Sequence, residues 1–249
     1  MKTTKNTILI TGGGSGIGFE MAKLFSKDNK VIITGRDAQK LNNAALSLDN
    51  VTAIVSDIND EESVNRLVSR LDREFPNLNI VINNAGLALY YKLTDEKVNA
   101  FEKASAEILT NYLSIVRLTE KLLPQLQKQA NAAFVNVSSI AAFSPGIVLP
   151  GYAISKAALH SYSQVLRITL EKENKSHVKV FEVMPPLVNT SFSKEIGGEN
   201  GISPAEVALA LKNGLESDTF EIHVAGTADF YKLYLSSPEA ALQYINSTK

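Results

Sequence analysis

Short apolar runs alternate with stretches of helical spacing along the first two thirds of the chain, and this alternation constrains the fold more than any other feature. The runs are rich in valine and isoleucine, and most are too short to be helices. Strands that are apolar throughout are typical of a parallel sheet covered by helices on both faces. We therefore predict an α/β fold with a doubly wound parallel sheet, whose strands lie at residues 7–10, 30–34, 52–55, 78–82, 133–137 and 178–184.

The rest of the chain predicts further elements of the same domain. Residues 95–129 have the apolar spacing of one long helix or of two abutting helices, which Pro124 ends or bends. The sequence SPAE at residues 203–206 has the form of a capping box and predicts a helix that continues to about residue 215. A last strand at residues 221–225 and one C-terminal helix should follow. With 249 residues, of which 45% are hydrophobic, the chain suits a single domain over residues 1–249.

Composition excludes several classes of function. The 25 basic and 26 acidic residues give a net charge of −1, without the basic excess that nucleic-acid binding requires. Cysteine is absent, and His160, His177 and His223 have no partner at ligand spacing, so we expect no metal site. The start of the sequence is too poor in apolar residues for a signal peptide, and no apolar run is long enough to span a membrane. We therefore expect a soluble, cytoplasmic protein with no membrane partner.

The sequence TGGGSGIG occupies residues 11–18, between the first predicted strand and a helix expected to start near Phe19. Gly12 and Gly16 would let the backbone approach phosphate oxygens, and Gly18 would let the helix pack closely on the strand. The helix N-terminus adds unpaired N–H groups and a partial positive charge. A flexible loop has a similar composition, but the position at the first βα crossing favours a nucleotide site.

Tyr152 and Lys156 stand one turn apart at the start of a predicted helix over residues 152–170. The ordinary pKa of a phenol, about 10, is too high for acid–base work near neutrality, and a neighbouring ammonium group stabilises the phenolate. We therefore expect Lys156 to lower the pKa of Tyr152. The spacing alone would also suit an ordinary amphipathic helix edge, so the interpretation depends on its context.

That context comes from two other predicted strand ends. The sequence VNVSS ends one strand at Ser138 and Ser139, and NNAG at residues 83–86 follows another. The carboxyl ends of parallel strands deliver their side chains to one edge of the sheet, where open sheets bind ligands. Ser138 also fits an ordinary turn at a strand end. Together with the glycine turn and the tyrosine–lysine pair, however, these elements predict one active site.

The chain resembles the short-chain dehydrogenase/reductase family over essentially its whole length. The resemblance rests on TGxxxGxG at residues 11–18, NNAG at 83–86, Ser139, and YxxxK at 152–156. It implies a Rossmann fold and an NAD(P)-dependent enzyme acting on CH–OH or C=O groups. Where the family usually has Pro-Gly, this chain has MPPLVNT at residues 184–190. That string resembles the branch often named after the D-alanyl-teichoic-acid operon, whose members are largely uncharacterised oxidoreductases.

The resemblance also implies roles for individual residues. Tyr152 would donate a proton to the substrate oxygen, Ser139 would hydrogen-bond that oxygen, and Lys156 would hold the nicotinamide ribose. Asn111 would support a chain of water molecules to solvent, or would satisfy a helix kink, and the two roles are compatible. The residues expected to contact the cofactor are Gly12, Ser15, Gly16, Ile17, Gly18, Arg36, Asp57, Ile58, Asn84, Ala85, Gly86, Tyr152, Lys156, Pro185, Val188 and Thr190.

The choice of cofactor depends on the residues after the second predicted strand, Gly35, Arg36 and Asp37. An acidic residue at the strand end would bind both ribose hydroxyls and repel a 2′-phosphate, whereas the Arg36 guanidinium can pair with that phosphate. Asp37 lies at about the right distance to be a ribose partner, but it also precedes a helix as an N-cap does, and we assign it that role. We therefore predict NADP(H), although Arg36 could also be a solvated turn residue.

These observations predict an NADPH-dependent oxidoreductase, a carbonyl reductase or alcohol dehydrogenase. It would transfer hydride between nicotinamide and a ketone, aldehyde or secondary alcohol of small size. The alternative is a nucleotide-binding redox sensor without turnover, but a sensor needs no proton donor such as Tyr152. A sugar-nucleotide epimerase or dehydratase is a third possibility, but such enzymes usually have a larger C-terminal substrate domain.

Two segments predict features beyond the reaction centre. Residues 187–202 should form a substrate loop, of which residues 191–201 carry three glycines and few apolar anchors, a composition typical of a mobile lid. Residues 95–123 have more apolar positions than one buried helix face needs, so we expect a homodimer or homotetramer through this segment and residues 152–170. A helix deeply buried in its own domain is the alternative explanation.

Overall fold

The structure, a computed structural model, describes residues 1–247. Parallel strands form a seven-stranded sheet in the order β3-β2-β1-β4-β5-β6-β7. The chain builds outward from β1 in one direction and then returns to the other side of β1 with β4. The prediction of a doubly wound parallel α/β sheet is confirmed. The strands are β1 (Thr7–Thr11), β2 (Lys30–Gly35), β3 (Val51–Val55), β4 (Leu78–Asn83), β5 (Ala132–Val137), β6 (Val178–Met184) and β7 (Glu221–His223).

Helices cover both faces of the sheet because alternate strand residues point to opposite sides. In β1, Ile8 and Ile10 belong to one apolar core, which α1, α2 and α7 complete. Leu9 belongs to the other core, which α3, α5 and α6 complete. The helices are α1 (Gly16–Phe25), α2 (Ala38–Leu46), α3 (Glu61–Glu74), α4 (Ala100–Ile108), α5 (Ser114–Leu126), α6 (Pro150–Lys172), α7 (Pro204–Glu216), α8 (Thr227–Ser236) and α9 (Pro238–Asn246).

Local hydrogen bonds begin α2 and α7 where the sequence predicts. The Asp37 carboxylate accepts from the Lys40 N–H and caps α2, which confirms the N-cap assignment. Ser203 and Glu206 form the predicted capping box at the start of α7. Helix α1 begins at Gly16, earlier than the predicted start near Phe19. The glycine turn therefore runs directly into the helix, which brings the helix N-terminus to the edge of the sheet.

The long segment after β4, for which the sequence predicts one long helix or two abutting helices, contains two, α4 and α5, joined by a π-helical turn at Leu109–Leu113. The turn carries Asn111. Pro124 lies inside α5, two residues before the helix ends at Leu126. A π turn adds a residue to the helix, and such turns are frequent at functional sites.

The C-terminal end differs from the prediction in two respects. The last strand, β7, ends at His223 and not at residue 225, because Ala225 has a left-handed φ of 48°. The prediction of one C-terminal helix is wrong, since α8 and α9 are separate. Ser237 between them is extended, and Pro238 at the first position of α9 lacks the N–H that a continuing helix needs.

All seven strands described above belong to one sheet, in keeping with a single domain over residues 1–249, which stays a prediction. Across residues 1–247, no helix combines the length and the apolar character needed to span a bilayer.

Candidate active site

A cavity of about 720 Å³ opens at the carboxyl ends of the strands, beside the point where the strand order reverses between β1 and β4. Open α/β sheets bind ligands at this position, since neighbouring loops diverge there. Residues from six successive strand ends line the cavity and include residues 14–17, 35–37, 56–59, 84–86, 137–141 and 185–188.

The glycine turn brings bare backbone to the cavity. Gly12 has a left-handed φ of 67°, and a Cβ there would lie 2.9 Å from the Cα of Ala85. Ser15, the N-cap residue of α1, makes no side-chain capping hydrogen bond, so the first N–H groups of the helix keep their capacity for a ligand. A nucleotide phosphate fits this arrangement. Gly18 does not line the cavity, because it packs behind the turn against the Gly12 carbonyl.

Hydrogen bonds hold the glycine turn against the loop after β4. The Thr11 hydroxyl accepts from the N–H groups of Asn84 and Ala85, both at 3.0 Å. The Asn84 side-chain amide donates to the carbonyl oxygens of Thr11 at 2.9 Å and Gly12 at 3.2 Å. This NH₂ group is therefore engaged in fixing the turn, although Asn84 also lines the cavity.

At the far end of the cavity, Arg36 is exposed and makes no ion pair with any of residues 1–247. It lines both the main cavity and a smaller neighbouring one of about 450 Å³. Lys40, which the sequence analysis did not select, lines the main cavity beside it. The Asp37 carboxylate is turned toward its own helix, while Asp57 and Ile58 line the wall formed after β3.

At the near end, Ser139, Tyr152 and Lys156 line the same cavity. The Lys156 Nζ donates to the Val137 carbonyl at 2.8 Å and lies 5.5 Å from the centre of the Tyr152 ring. The Ser139 hydroxyl accepts from the Ala141 N–H at 3.1 Å, and it lies close enough to the Tyr152 phenol to lower the pKa of that group. The three side chains that the sequence analysis grouped, Ser139, Tyr152 and Lys156, therefore lie close to one another.

The protonation of this group differs from the expectation. Burial raises the pKa of Tyr152 to about 12, against a lowering effect of the Ser139 hydroxyl, and the Glu107 charge raises it further. Burial also lowers the pKa of Lys156 to about 8, although the charge of Glu182 opposes this. The expectation that Lys156 brings the pKa of Tyr152 below its ordinary value is wrong. The Lys156 ammonium group donates to the Val137 carbonyl, and burial of the phenol has the largest effect on its pKa.

Asn111 does not line the cavity but lies buried behind it. Its amide nitrogen donates to the Leu87 carbonyl and to the Ser155 hydroxyl, and its oxygen accepts from the Leu87 N–H, each at 2.8 Å. The Ser155 hydroxyl in turn donates to the Tyr152 carbonyl at 2.7 Å. Asn111 therefore joins the π turn, the loop after β4 and the first turn of α6, and its role in a water chain stays a prediction.

Glu107 is a buried carboxyl that the sequence analysis did not select. Its Oε1 accepts from the Leu89 N–H at 2.8 Å, and its Oε2 lies against the Cα of Gly151, the residue before Tyr152. Burial raises the pKa of Glu107, against smaller lowering effects of the Leu89 N–H and the Tyr91 hydroxyl. The available signal was a glutamate one helical turn before Asn111, and it is a weak one because the same segment carries other charged residues such as Glu102 and Lys103.

His160 and Glu182 form a second buried pair, with His160 Nδ1 2.8 Å from Glu182 Oε2. The Glu182 side chain is completely buried, and its hydrogen bond raises the pKa of His160. No carboxylate stands at ligand spacing from His160 in the sequence, and the pair forms because the fold packs α6 on β6. In the part of the chain that the structure describes, no three side chains of metal-ligand type are grouped.

The predicted substrate loop lies over the near end of the cavity. It contains two short 3₁₀ turns, Ser191–Ile196 and Gly198–Asn200, and its ends are paired between Val188 and Ile202. The loop has a polar anchor that the sequence analysis did not select, since Ser193 is buried and its hydroxyl donates to the Val188 carbonyl. The remaining predicted contacts, Pro185 and Thr190, also line the cavity.

Comparisons with known proteins agree with this geometry. A family model for the short chain dehydrogenases matches residues 6–201. The uncharacterized oxidoreductase DltE of Bacillus subtilis is 37% identical over 235 residues, 89% of each chain. An uncharacterized oxidoreductase of Staphylococcus aureus strain USA300 is 34% identical over 214 residues, 84% of this chain and 90% of the relative.

Solved structures share the fold. A short chain dehydrogenase from Burkholderia cenocepacia in complex with NADP superposes with a TM-score of 0.84 at 24% identity, covering 98% of both chains. A short chain dehydrogenase/reductase from Burkholderia phymatum in complex with NAD has a TM-score of 0.87 at 18% identity and covers 98% of this chain and 96% of its own.

Proposed function

Since the chain belongs to the short-chain dehydrogenase family and is an NAD(P)-dependent oxidoreductase, we propose that it reduces ketones or aldehydes with NADPH, or oxidises the matching alcohols. The observation that carries this proposal is the meeting of Ser139, Tyr152 and Lys156 in a cavity that also contains the glycine turn. A cavity of about 720 Å³ has the size usual for sites that bind small molecules.

Different residues of the cavity would contact different parts of the dinucleotide. The glycine turn and the N-terminus of α1 would hold the pyrophosphate, and Asp57 with Ile58 would border the adenine. Lys156 would hold the nicotinamide ribose, and the segment from Pro185 to Thr190 would contact the nicotinamide. When bound, the nicotinamide supplies or accepts the hydride.

The proton comes from the protein. With a pKa of about 12, the Tyr152 phenol is protonated at neutral pH and can donate to the substrate oxygen. The Ser139 hydroxyl, which lies close to this phenol, would orient the same oxygen. Below pH 8 Lys156 carries its charge, which would stabilise the phenolate left after the transfer.

The preference for NADPH rests on the far end of the cavity. Arg36 has an exposed guanidinium with no ion-pair partner in residues 1–247, and Lys40 lies on the same wall. Two cations suit a 2′-phosphate, while the Asp37 carboxylate that would repel it is held by its own helix. Of the two structural neighbours, one carries NADP and the other NAD, so the argument depends on these side chains.

The test is to mix the purified chain with NADPH or NADH and a panel of ketones and aldehydes, while following the absorbance of the reduced nicotinamide. We expect turnover with NADPH on at least one class of carbonyl compound. Binding of NADPH without reduction of any carbonyl compound, and of NADP⁺ without oxidation of any alcohol, would contradict the proposal and favour the redox-sensor alternative. We further propose that the reaction takes place in the cytoplasm, where cells maintain reduced nicotinamide.

A further inference from the structure

Beyond Tyr152 the cavity continues into a region that the dinucleotide does not need, and we name this region the outer chamber. Its walls come from the substrate loop, the start of α6 and the two C-terminal helices. The side chains of these walls include Leu149, Phe192, Ile196, Phe230, Tyr244 and Ile245, and the substrate loop adds Ser191 and Glu195. Most of them are apolar or aromatic, so the outer chamber offers surface contact more than hydrogen bonds.

The outer chamber is continuous with the reacting group. The Phe192 ring centre lies 6.1 Å from that of Tyr152, so a substrate oxygen at the phenol would place its neighbouring atoms beside Phe192. Phe230 and Tyr244, from the two C-terminal helices, also line the cavity, with ring centres 5.9 Å apart and planes tilted by 44°. Phe192 is 50% exposed and Tyr244 is 63% exposed, which leaves apolar surface for a ligand to cover.

Specific hydrogen bonds hold the C-terminal wall in place. The Asn246 amide donates to the Pro145 carbonyl at 3.0 Å and accepts from the Ile147 N–H at 2.9 Å. These bonds attach α9 to the loop that precedes α6. The outer chamber is therefore a defined part of the fold. The hydrogen bonds of Asn246 hold the preceding residues, Tyr244 and Ile245, over the cavity.

The charges that border the cavity are unevenly distributed. Its cationic lining residues in the described chain are Arg36 and Lys40 at the far end, and Lys156, which is buried and bonded to the Val137 carbonyl. Among residues 1–247, the carboxyl that lines the cavity from the substrate loop is Glu195. An anionic group on the substrate would therefore lose hydration and, within residues 1–247, would meet no cationic lining residue apart from the engaged Lys156, which is unfavourable.

We propose that the substrate is an uncharged carbonyl compound with an apolar body, alkyl or aryl, which fills the outer chamber while its oxygen meets Tyr152. This inference rests on the proposed reductase function and names the substrate class of the same site. It predicts that turnover depends on apolar size and on the absence of a negative charge.

A matched pair of substrates tests the charge. Methyl 4-formylbenzoate and 4-formylbenzoate present the same aldehyde and ring, and differ in one negative charge. We expect kcat/KM with NADPH to be at least about tenfold higher for the ester, because the carboxylate stays unpaired in the outer chamber. Equal values, or a preference for the carboxylate, would overturn the proposal.

A series of straight-chain aldehydes tests the apolar contact. Each methylene buried should raise kcat/KM by up to about fourfold until the outer chamber is filled. Phe192→Ala and Tyr244→Ala should flatten this dependence and lower kcat/KM for decanal about tenfold, with propanal changed less than about twofold. Leu209→Ala is the control, since Leu209 is 52% exposed on α7 and does not line the cavity. An unchanged dependence in both cavity variants would contradict the inference.

Two unreactive probes separate this inference from the reductase function. In the presence of NADP⁺, methyl benzoate should raise the melting temperature and benzoate should not, and Phe192→Ala should abolish the shift. If methyl benzoate raises the melting temperature and benzoate does not, but no carbonyl compound is reduced, the proposed reductase function is wrong. The proposal that the outer chamber binds uncharged apolar compounds then still stands. If carbonyl compounds are reduced but anionic ones are preferred, the substrate class fails while the reductase function stands.

Discussion

Replacing the Tyr152 hydroxyl with hydrogen would remove the proposed proton donor and leave its ring beside Phe192. We expect Tyr152→Phe to lower kcat by at least about 10²–10⁴-fold, the usual contribution of a general acid, with NADPH binding nearly unchanged. Steady-state kinetics and a titration of NADPH fluorescence measure the two effects. Tyr162→Phe is a matched control, because Tyr162 lies on the same helix, packs on Tyr112 and does not line the cavity. A Tyr152→Phe enzyme with near wild-type kcat would eliminate this donor.

Arg36 carries the cofactor preference at the other end of the cavity. Arg36→Ala should weaken NADPH binding by about 1.5–3 kcal/mol, the usual contribution of a hydrogen bond to a charged group, and should change NADH binding little. Binding constants for both cofactors test this. Arg66→Ala is the control, since Arg66 lines only the smaller cavity and is paired with Asp60 and Glu62 at 3.7 and 3.6 Å. Equal losses with NADPH and NADH, or a wild type that uses both equally well, would contradict the assignment.

Lys156 makes a prediction about stability. Its pKa is about 8 in the folded chain and 10.5 in the reference state, so the unfolded chain holds one more proton between these values. The free energy of unfolding should therefore rise with pH across this window, by up to about 3 kcal/mol. Below pH 8 the buried charge is a cost, so Lys156→Met should be more stable than wild type at pH 7 while losing activity.

Urea unfolding of wild type and Lys156→Met at pH 7 and pH 10 measures this difference. The stability advantage of the variant should shrink at the higher pH, because the wild-type lysine then loses its charge in the folded state. Lys128→Met, at an exposed position on the surface, should show no such change with pH. If the free energies of unfolding of wild type and Lys156→Met differed by the same amount at both pH values, the Lys156 charge would not be destabilising.

At the scale of elements, α6 connects three parts of the site. Tyr152, Lys156 and His160 follow one another at intervals of one helical turn and therefore share a face. They meet, respectively, the hydroxyl of Ser139, the carbonyl of Val137 and the carboxylate of Glu182. A rigid helix on a buried sheet thus sets the positions of the proton donor and its neighbours together.

The substrate loop, residues 187–202, should become ordered when ligands bind, because Phe192 would be covered by a substrate next to Tyr152. Trypsin cleavage after Lys194, an exposed residue in this loop, reports on the change. NADPH together with an unreactive apolar analogue should slow this cleavage, whereas cleavage after Lys175, in the exposed turn before β6, should keep its rate. Unchanged cleavage at Lys194 would leave the loop without a lid function.

At the scale of the whole molecule, apolar side chains remain exposed on one side of α4 and α6. Phe101 is 78% exposed, and Ile154, Val165 and Ile168 are each more than half exposed. Segments predicted to associate thus carry apolar surface that a second copy could bury, which supports the expected homodimer or homotetramer.

Light scattering across a wide concentration range tests this association. We expect a mass of at least twice the 27.0 kDa of the chain, and Val165→Lys combined with Ile168→Lys should lower it. Leu209→Lys, on α7 and away from α4 and α6, is the control. A species of 27 kDa at every wild-type concentration would remove the prediction.

The sequence by itself determined the fold class and most of the strands and helices. The apolar strands, the Asp37 cap and the Ser203–Glu206 capping box depend on residues within a few positions of each other, so local patterns are sufficient to predict them. Parallel strands deliver their carboxyl ends to one edge. The placement of Ser139 and of the start of α6 beside the glycine turn could therefore be predicted without knowledge of any contact.

Only the tertiary structure decided which buried groups touch and how they are charged. His160 meets Glu182 across 22 residues of chain, Asn111 meets Ser155 across 44, and Ile147 meets Asn246 across 99. No local pattern links such positions, which is why the His160 pair and the outer chamber were not predicted. The pKa of Tyr152 was predicted in the wrong direction for a related reason. Its neighbour Lys156 is visible in the sequence, but the burial that dominates is contributed by the whole fold.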